Sequence, residues 1–434
     1  MALRMRIKQL VEYLPYPVGN VLAAIPFSWR LGSEYIKYSK LANSSESWSE
    51  EEREQYTLAQ FSRVYEYACT HFDCYRKLYH DAGLANYKIT SIEDIKKLPV
   101  TTKAFFKKHI KEFSGTYKLN TGGTTGSPFT FFADKQCWAR EWAHMHWIWK
   151  LVDYDYRKLT LSMRGKNFGK KNIVYNPVHH EFLLNTYNPL SVFSDQFLKL
   201  IRSHEVSFIH GYPSAVYNFI CEAEKIYSPK ELTEIFSPIK GVLLHSEFPL
   251  PYMKEKFATY LRKSISWYGH SEMCILAYDR NFDNHYVPMP TYGYAEEQNG
   301  HLLGTSFHNF EMPLIRYDTE DRIAPIQVTA SGILLEFAIA EGRNGDFIVD
   351  KNGKQIPLTS LIFGRHHHVF DFATHIQIRQ EEPGEATLLV VSSELLNMGI
   401  DELFDLKNVN VDFKMEIIPN PILTQAGKLR LKVS

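Results

Sequence analysis

Cysteine is scarce in this chain. The 434 residues carry five, Cys69, Cys74, Cys137, Cys221 and Cys274. The count is odd, the spacing wide, and the nearest pair, Cys69 and Cys74, does not fit a zinc-ligand pattern. A disulfide scaffold is therefore excluded, and reduced thiols in a cytosolic protein are expected. No activating base lies near any of them in the sequence, so a catalytic cysteine is not expected. Net charge is missing too: 49 Lys+Arg balance 49 Asp+Glu, which argues against a general nucleic-acid binder with its basic face. No apolar run approaches the length of a membrane span, and there are no internal repeats or low-complexity tracts. The N-terminus opens basic (Arg4, Arg6, Lys8) and becomes apolar near Val21–Phe27. Glu12, Pro15, Pro17 and Pro26 interrupt it before a signal-peptide core can form. Packing on the main body is the first expectation for this segment, and peripheral membrane contact the second.

What the chain has in quantity is aromatic residues. They make up 14% of it, with 28 Phe and 26 Tyr, enough for large cores or flat ligands. The opening reads as helical. Ser49 and Glu52 have capping-box spacing, and Leu58, Phe61, Tyr65, Ala68 and Phe72 recur on one face, predicting one long helix over 47–82 ended by Gly83. Shorter helices are expected from Ser91 and over Lys103–Phe113. From Leu159 short apolar runs alternate with helical stretches: strands at Val206–His210, Gly241–Leu244 and Ser264–Tyr268, helices at Ser214–Tyr227 and Pro251–Leu261. That alternation predicts α/β layering. Tyr286–Phe337 reads as strands and turns. Glu341–Gly345 is a polar break, followed by strands near His375–Arg379, Thr387–Val391 and Val411–Ile417 and a helix near Ser393–Phe404. His366-His367-His368 reads as a solvated turn, because adjacent side chains diverge.

Five segments carry candidate chemistry. In Thr121-Gly122-Gly123-Thr124-Thr125-Gly126-Ser127-Pro128 the glycines let backbone N–H groups turn inward and the hydroxyls add donors for phosphate, although no Walker lysine follows. The same pattern is open to reading as a flexible turn. Ser266-Trp-Tyr268-Gly269-His270-Ser-Glu272 ends a strand. There Tyr268 could stack on a purine, Gly269 permit close approach, Glu272 hold Mg²⁺ and His270 contact a carboxylate, or all could be core and surface residues. Asp321, in Pro313-Leu-Ile-Arg-Tyr-Asp-Thr-Glu-Asp321, could accept both ribose hydroxyls, with Arg316 and Asp318 in local pairs. Arg343, in Gly342-Arg-Asn-Gly-Asp346, could meet phosphate or ribose. Lys428 lies in Gln425-Ala-Gly-Lys-Leu-Arg430 near the C-terminus.

Taken in order, these motifs resemble the adenylate-forming superfamily, and within it the phenylacetate–CoA ligase and CapK-like capsular-polysaccharide branch. Leu98-Pro-Val-Thr-Thr-Lys103, Gly211-Tyr-Pro-Ser214 and Glu247 also resemble that branch. The resemblance covers nearly the whole chain. It implies an α/β fold: a large multi-layer αβ adenylation domain over 1–341, with 1–115 largely helical, and a small mobile α+β domain over 342–434 on a hinge. It implies ATP and Mg²⁺ as cofactors, and a small-molecule carboxylate activated as its adenylate with release of pyrophosphate. Transfer then follows to an amine in surface-polysaccharide synthesis or, alternatively, to the thiol of CoA. By the same resemblance Thr121–Ser127 hold the phosphates, Tyr268 and Gly269 border adenine, and Glu272 binds Mg²⁺. Asp321 binds ribose, Arg343 contacts the nucleotide, and Lys428 bridges the carboxylate and the α-phosphate. Tyr212 and His245 are expected near the acid, with His270. One departure stands out: Gly345 occupies the position where the family commonly carries Asp or Lys as its pivot. A cytoplasmic place, peripheral to the inner membrane face, is the corresponding expectation.

Overall fold

The computed structural model describes residues 14–121, 129–165, 168–341, 346–363, 365, 367–373, 375–392, 398–422 and 431–433. Three expected phosphate and nucleotide elements, Gly122–Pro128, Arg343 and Lys428, lie outside the described residues, as do Gly345 and His366.

The helical opening forms as the capping signals require. Ser49 and Glu52 make the reciprocal capping box, with Ser49 N–H donating to Glu52 at 2.8 Å and Glu52 N–H to the Ser49 hydroxyl at 3.1 Å. The single helix expected over 47–82 is two: Glu50–His71 and Asp73–Asp81. Phe72 between them is extended (φ −124°, ψ 124°) and buries its ring against Phe113. The second helix starts where the Glu112 carboxylate accepts the Cys74 N–H at 2.8 Å, a tertiary cap that local periodicity does not reveal. The helix expected over 103–113 ends at His109 and tightens into a 3₁₀ turn, Ile110–Glu112.

The strands in chain order are β1 (Tyr117–Thr121), β2 (Phe129–Ala133), β3 (Leu159–Met163), β4 (Ile173–Asn176), β5 (Glu181–Leu184), β6 (Val206–Gly211), β7 (Gly241–His245), β8 (Ser264–Gly269), β9 (Leu276–Asp279), β10 (His285–Pro288), β11 (Gly293–Gln298), β12 (His301–Ser306), β13 (Tyr317–Val328), β14 (Leu334–Glu341), β15 (Phe347–Val349), β16 (Gln355–Pro357), β17 (His375–Arg379), β18 (Glu385–Val391), β19 (Asp412–Ile417) and β20 (Lys432–Val433). Twelve of them form one sheet in the order β11-β12-β13-β14-β10-β9-β8-β7-β6-β3-β5-β4. Strands β8, β7, β6, β3 and β5 run parallel and buried, with helices as crossovers; β8 pairs antiparallel with β9, and the other half is an antiparallel meander. The expected α/β layering is present. The β1–β2 hairpin stands apart, and β19-β18-β17-β20 make a separate four-stranded sheet. Near it the helix expected at Ser393–Phe404 is described only as Ile400–Leu403. No helix among the described residues is long and apolar enough to cross a membrane.

His367 is not in a solvated turn. Its ring is buried and stacked on Phe404 (3.9 Å), its Nε2 meets the Leu361 carbonyl at 2.8 Å, and its Nδ1 accepts from the Asp405 N–H. Three adjacent histidines need not share an environment, and His368 is exposed as expected. The four-stranded unit rests on the large sheet's side through Arg365, which lies over the Tyr187 ring at 4.0 Å, and through the Lys354–Glu222 ion pair at 3.3 Å.

Arg316 is wholly buried. Its guanidinium donates to both Glu296 oxygens (2.7 and 3.2 Å), to Gln298 at 2.6 Å, to the Lys96 carbonyl at 2.8 Å and to the Leu98 carbonyl. The local pairing expected of Arg316 and Asp318 is instead cross-strand: Arg316 with Glu296, Asp318 with His301. Removing one member leaves the other charge buried and alone. Arg316→Leu is expected to lose about 3–5 kcal/mol of unfolding free energy in urea, and the double variant Arg316→Leu/Glu296→Leu clearly less.

His144 is equally enclosed. Burial holds its pKa down at about 4, and its ring bonds the Arg140 carbonyl and the Thr291 hydroxyl. An imidazole neutral when folded and protonated when unfolded adds stability above its ordinary pKa and loses it as pH falls. Between about pH 6.5 and 4 the loss from His144 is up to about 3 kcal/mol. His146, held at about 3, and His180, held at about 4, act in the same sense. Urea unfolding at pH 7 and pH 4.5 is therefore expected to show a smaller acid-induced drop for His144→Asn than for the unsubstituted chain.

Candidate active site

The ends of the parallel strands build the site. Strand β6 runs into Gly211-Tyr212, β7 into Ser246-Glu247 and β8 into Gly269-His270, and a cavity of about 520 Å³ opens at these ends. Ligand crevices of open α/β sheets lie at such carboxyl ends. Gly211 permits the local geometry: a Cβ there would lie 2.6 Å from the Met163 carbonyl oxygen. The next residues start the helix Pro213–Glu224, whose first turn is held from β7. Glu247 accepts both the N–H and the hydroxyl of Ser214, each at 3.0 Å. The Gly-Tyr-Pro-Ser segment and Glu247 are thus one device, a carboxylate cap on a helix start.

The opposite wall comes from the antiparallel half. Strand β13 brings Thr319 and Asp321 to the cavity, and β1 brings Leu119 and Asn120. The Tyr268 hydroxyl, 53 residues away in sequence, donates to Asp321 at 2.6 Å. Its ring meets Phe337 edge-on at 5.7 Å while lining the cavity. Burial first, then the Asp321 charge, raises the Tyr268 hydroxyl well above its ordinary pKa, so it stays a donor. The space a Cβ would take at Gly269 is bounded by Leu276, its partner on β9, at 3.1 Å.

Glu272 lies on the cavity floor. Its carboxylate meets His270 Nδ1 at 3.2 Å and accepts from the Tyr317 hydroxyl at 3.2 Å. Burial opposes its charge, but His270 and then Lys103 outweigh burial and hold its pKa down. For His270, burial works against the cation, and the groups on its two nitrogens, Cys274 and Glu272, outweigh it in the other direction. Carboxylate oxygens are the hard donors that Mg²⁺ takes, and each Glu272 oxygen keeps a lone pair beside its single hydrogen bond. Glu272 therefore fits the cation.

Tyr212 and His270 line the cavity, as expected of residues near a substrate. His245 does not. Its ring stacks on Trp267 at 5.3 Å and meets Tyr212 at a tilt at 4.9 Å, and both of these residues line the cavity. The lining residues outside the expected site set include Lys103, Trp138, Glu141 and Tyr292. Lys103 Nζ reaches Glu320 at 2.7 Å, and its side chain is 7% exposed. The motif ending at Lys103 was a signal for it; Trp138 and Glu141 sit in an aromatic-rich helix, Cys137–Lys150, that reads as plain core. A base does lie beside one cysteine after all: His270 Nε2 is 3.3 Å from the Cys274 sulfur. That thiol is fully buried, and burial raises its pKa, so it is no nucleophile at neutral pH. Cys74, His109 and Glu112 also converge, within 4.8 Å. The two Glu112 oxygens there already engage the Cys74 N–H and His109.

No protein-family model matches the chain. Over 406 residues it is 20% identical to protein CapK of Staphylococcus aureus, covering 86% of this chain and 88% of that protein. Among solved structures it is similar to 2-hydroxyisobutyryl-CoA ligase in complex with 2-HIB-AMP and CoA in the thioesterification state. That likeness has a TM-score of 0.53 and 16% identity over 88% of this chain and 90% of that one. The same enzyme in the postadenylation state gives a TM-score of 0.51 at 16% identity and the same coverage. The chain has the adenylate-forming fold. The resemblance read from its motifs is thereby supported along most of its length, by sequence toward CapK and by fold toward the acyl-CoA ligase.

The Tyr268–Asp321 bond ties the two halves of the sheet across the cavity. Tyr268→Phe is expected to lower the unfolding free energy by about 1.5 kcal/mol, the scale of a hydrogen bond to a charged group, as measured by urea denaturation.

Proposed function

We propose that the chain is an ATP-dependent, AMP-forming carboxylate ligase. The observation that carries this reading is the convergence of Tyr268, Glu272 and Asp321 on one cavity at the strand ends, in a chain with the adenylate-forming fold. In the first step a carboxylate oxygen of the acid attacks the α-phosphorus of ATP. The bond to the bridging oxygen breaks, and pyrophosphate leaves with its electron pair. In the second step an acceptor nucleophile attacks the acyl carbon, AMP leaves, and the acceptor gives up its proton.

The chain's own residues would position and neutralise. Asp321, oriented by Tyr268, has the acceptor oxygens for a ribose, and Gly269 borders the adenine. Lys103 is a cavity cation suited to phosphate oxygens. Glu272 would hold Mg²⁺, which supplies neutralisation of phosphate charge when bound. From the resemblance, Thr121–Ser127 would cradle the phosphates, Arg343 would contact the nucleotide and Lys428 would bridge carboxylate and α-phosphate. Residues 342–434 would act as the small mobile domain on 1–341, with Gly345 at the pivot.

Similarity to CapK supports an amine acceptor in surface-polysaccharide synthesis. Similarity to a CoA ligase supports the second reading, transfer to the CoA thiol. A cytoplasmic enzyme peripheral to the membrane fits the N-terminal segment. Tyr16 packs on Tyr175 and Phe182, while Val21 (70% exposed) and Trp29 (82% exposed) face outward.

ATP–pyrophosphate exchange with pooled amino, uronic, short and aryl acids tests the first step, and acid-dependent exchange is the expected result. Lys428→Ala is expected to slow exchange by about 10²–10³-fold, the scale for removing one preorganised donor. Unchanged exchange in that variant would remove Lys428 from the chemistry. AMP release that requires CoA would select the thiol acceptor.

A further inference from the structure

Four carboxylates line the cavity, and three are accounted for by the bonds already described. Glu247 has both oxygens engaged by Ser214, Glu272 sits between His270 and Tyr317, and Asp321 is held by Tyr268 on the nucleotide wall. Glu141 is the fourth. It projects from the first turns of the helix Cys137–Lys150 and accepts one hydrogen bond, from the Tyr292 hydroxyl to Oε2 at 2.5 Å. Its other oxygen has no hydrogen-bond partner among the described residues, and no described Lys or Arg forms an ion pair with it; the nearest charge acting on it is that of His270. The neighbouring Arg140 is turned away, toward Asp134 and Glu34. The residue is half-buried, and partial desolvation raises its pKa against the opposing pull of the Tyr292 hydroxyl and then His270.

A half-buried carboxylate oxygen that faces a cavity with no donor of its own is better satisfied by a cation than by an uncharged group. As a mere structural acceptor for Tyr292 a neutral amide would serve as well. The surroundings suit a cation in a second way. Trp138, three residues before Glu141 on the same helix, and Tyr292 both line the cavity, and aromatic side chains attract ammonium groups.

We propose that Glu141 is the recognition group for a protonated amine on the acid substrate, so that the acid activated here is an amino acid. This rests on the carboxylate-ligase reading for the acid, but the ammonium subsite itself does not. The ammonium donates to the free Glu141 oxygen, and Tyr292 fixes the carboxylate's orientation. An acid lacking the amine would leave the second Glu141 oxygen without a donor once the ligand has displaced water, so discrimination comes from the penalty for the wrong substrate.

Two measurements on the full chain test the subsite and the substrate class separately. Calorimetric titration with n-butylammonium, and with n-butanol and butyrate as controls, reads the subsite without any turnover. Saturable binding of the ammonium alone is expected, weakened at least tenfold in Glu141→Gln, with the variant's unfolding transition recorded to establish that it is folded. Equal binding of butanol, no saturable binding of the ammonium, or an unaffected Glu141→Gln would each overturn the proposal. Pyrophosphate exchange with amino acids against their deamino analogues reads the substrate class. A preference for the amino acids is expected, with Glu141→Gln raising the amino-acid KM at least tenfold and leaving the ATP KM unchanged. Equal exchange by the deamino acids would overturn the substrate class while leaving carboxylate activation intact. Ammonium binding with no exchange from any acid would count against the ligase reading and for the subsite.

Discussion

The site depends first on one buried guanidinium. Arg316 takes five acceptors at once, from β11 and from the carbonyls of Lys96 and Leu98. Its own backbone carbonyl accepts the Thr101 N–H at 3.0 Å, and the Thr101 carbonyl accepts the Asp318 N–H at 2.9 Å. The helical opening is thereby clamped to the start of β13. Lys103 follows two residues after Thr101, and Tyr317, Thr319 and Asp321 follow Arg316, so one buried fork sets the register of both sets of cavity residues. The planar, always-charged guanidinium is suited to this in a way that lysine is not.

Around that fork the described residues pack as four clusters of apolar side chains, of which two are the largest. One gathers the long N-terminal helices, the β1–β2 hairpin and the antiparallel strands, with Phe106, Phe129 and Tyr317 among its members. The other gathers the parallel strands and their crossover helices, with Leu161, Ile209 and Phe257. The cavity lies where they meet, at the change of strand direction between β8 and β9. Polar side chains concentrate there because neither core can absorb them.

Much of this was legible in the sequence. The alternation after Leu159 gave the parallel strands to within a few residues, because strands buried on both faces are written as short continuous apolar runs. Tyr268, Glu272 and Asp321 announced themselves by motif, and the structure brings them together. What the sequence hid depends on contacts distant along the chain. The break at Phe72 needs Glu112, the burial of His367 needs Phe404, and the withdrawal of His245 needs Trp267. Glu141 escaped for a different reason: on an aromatic-rich helix one acidic residue reads as the solvated position of an amphipathic pattern, and only the fold shows that this position faces a cavity.

The two-bodied packing bears on how the protein can change. Tyr212 belongs to the second body, whereas Tyr268 packs on the first and there holds Asp321 through its hydroxyl. Residues on opposite walls that share no neighbour contribute nearly independently to stability. The side carrying Tyr212 and Trp267 can therefore be reshaped for a different small molecule without disturbing the register that Arg316 sets on the other. A lineage could change one wall of the cavity while keeping the other.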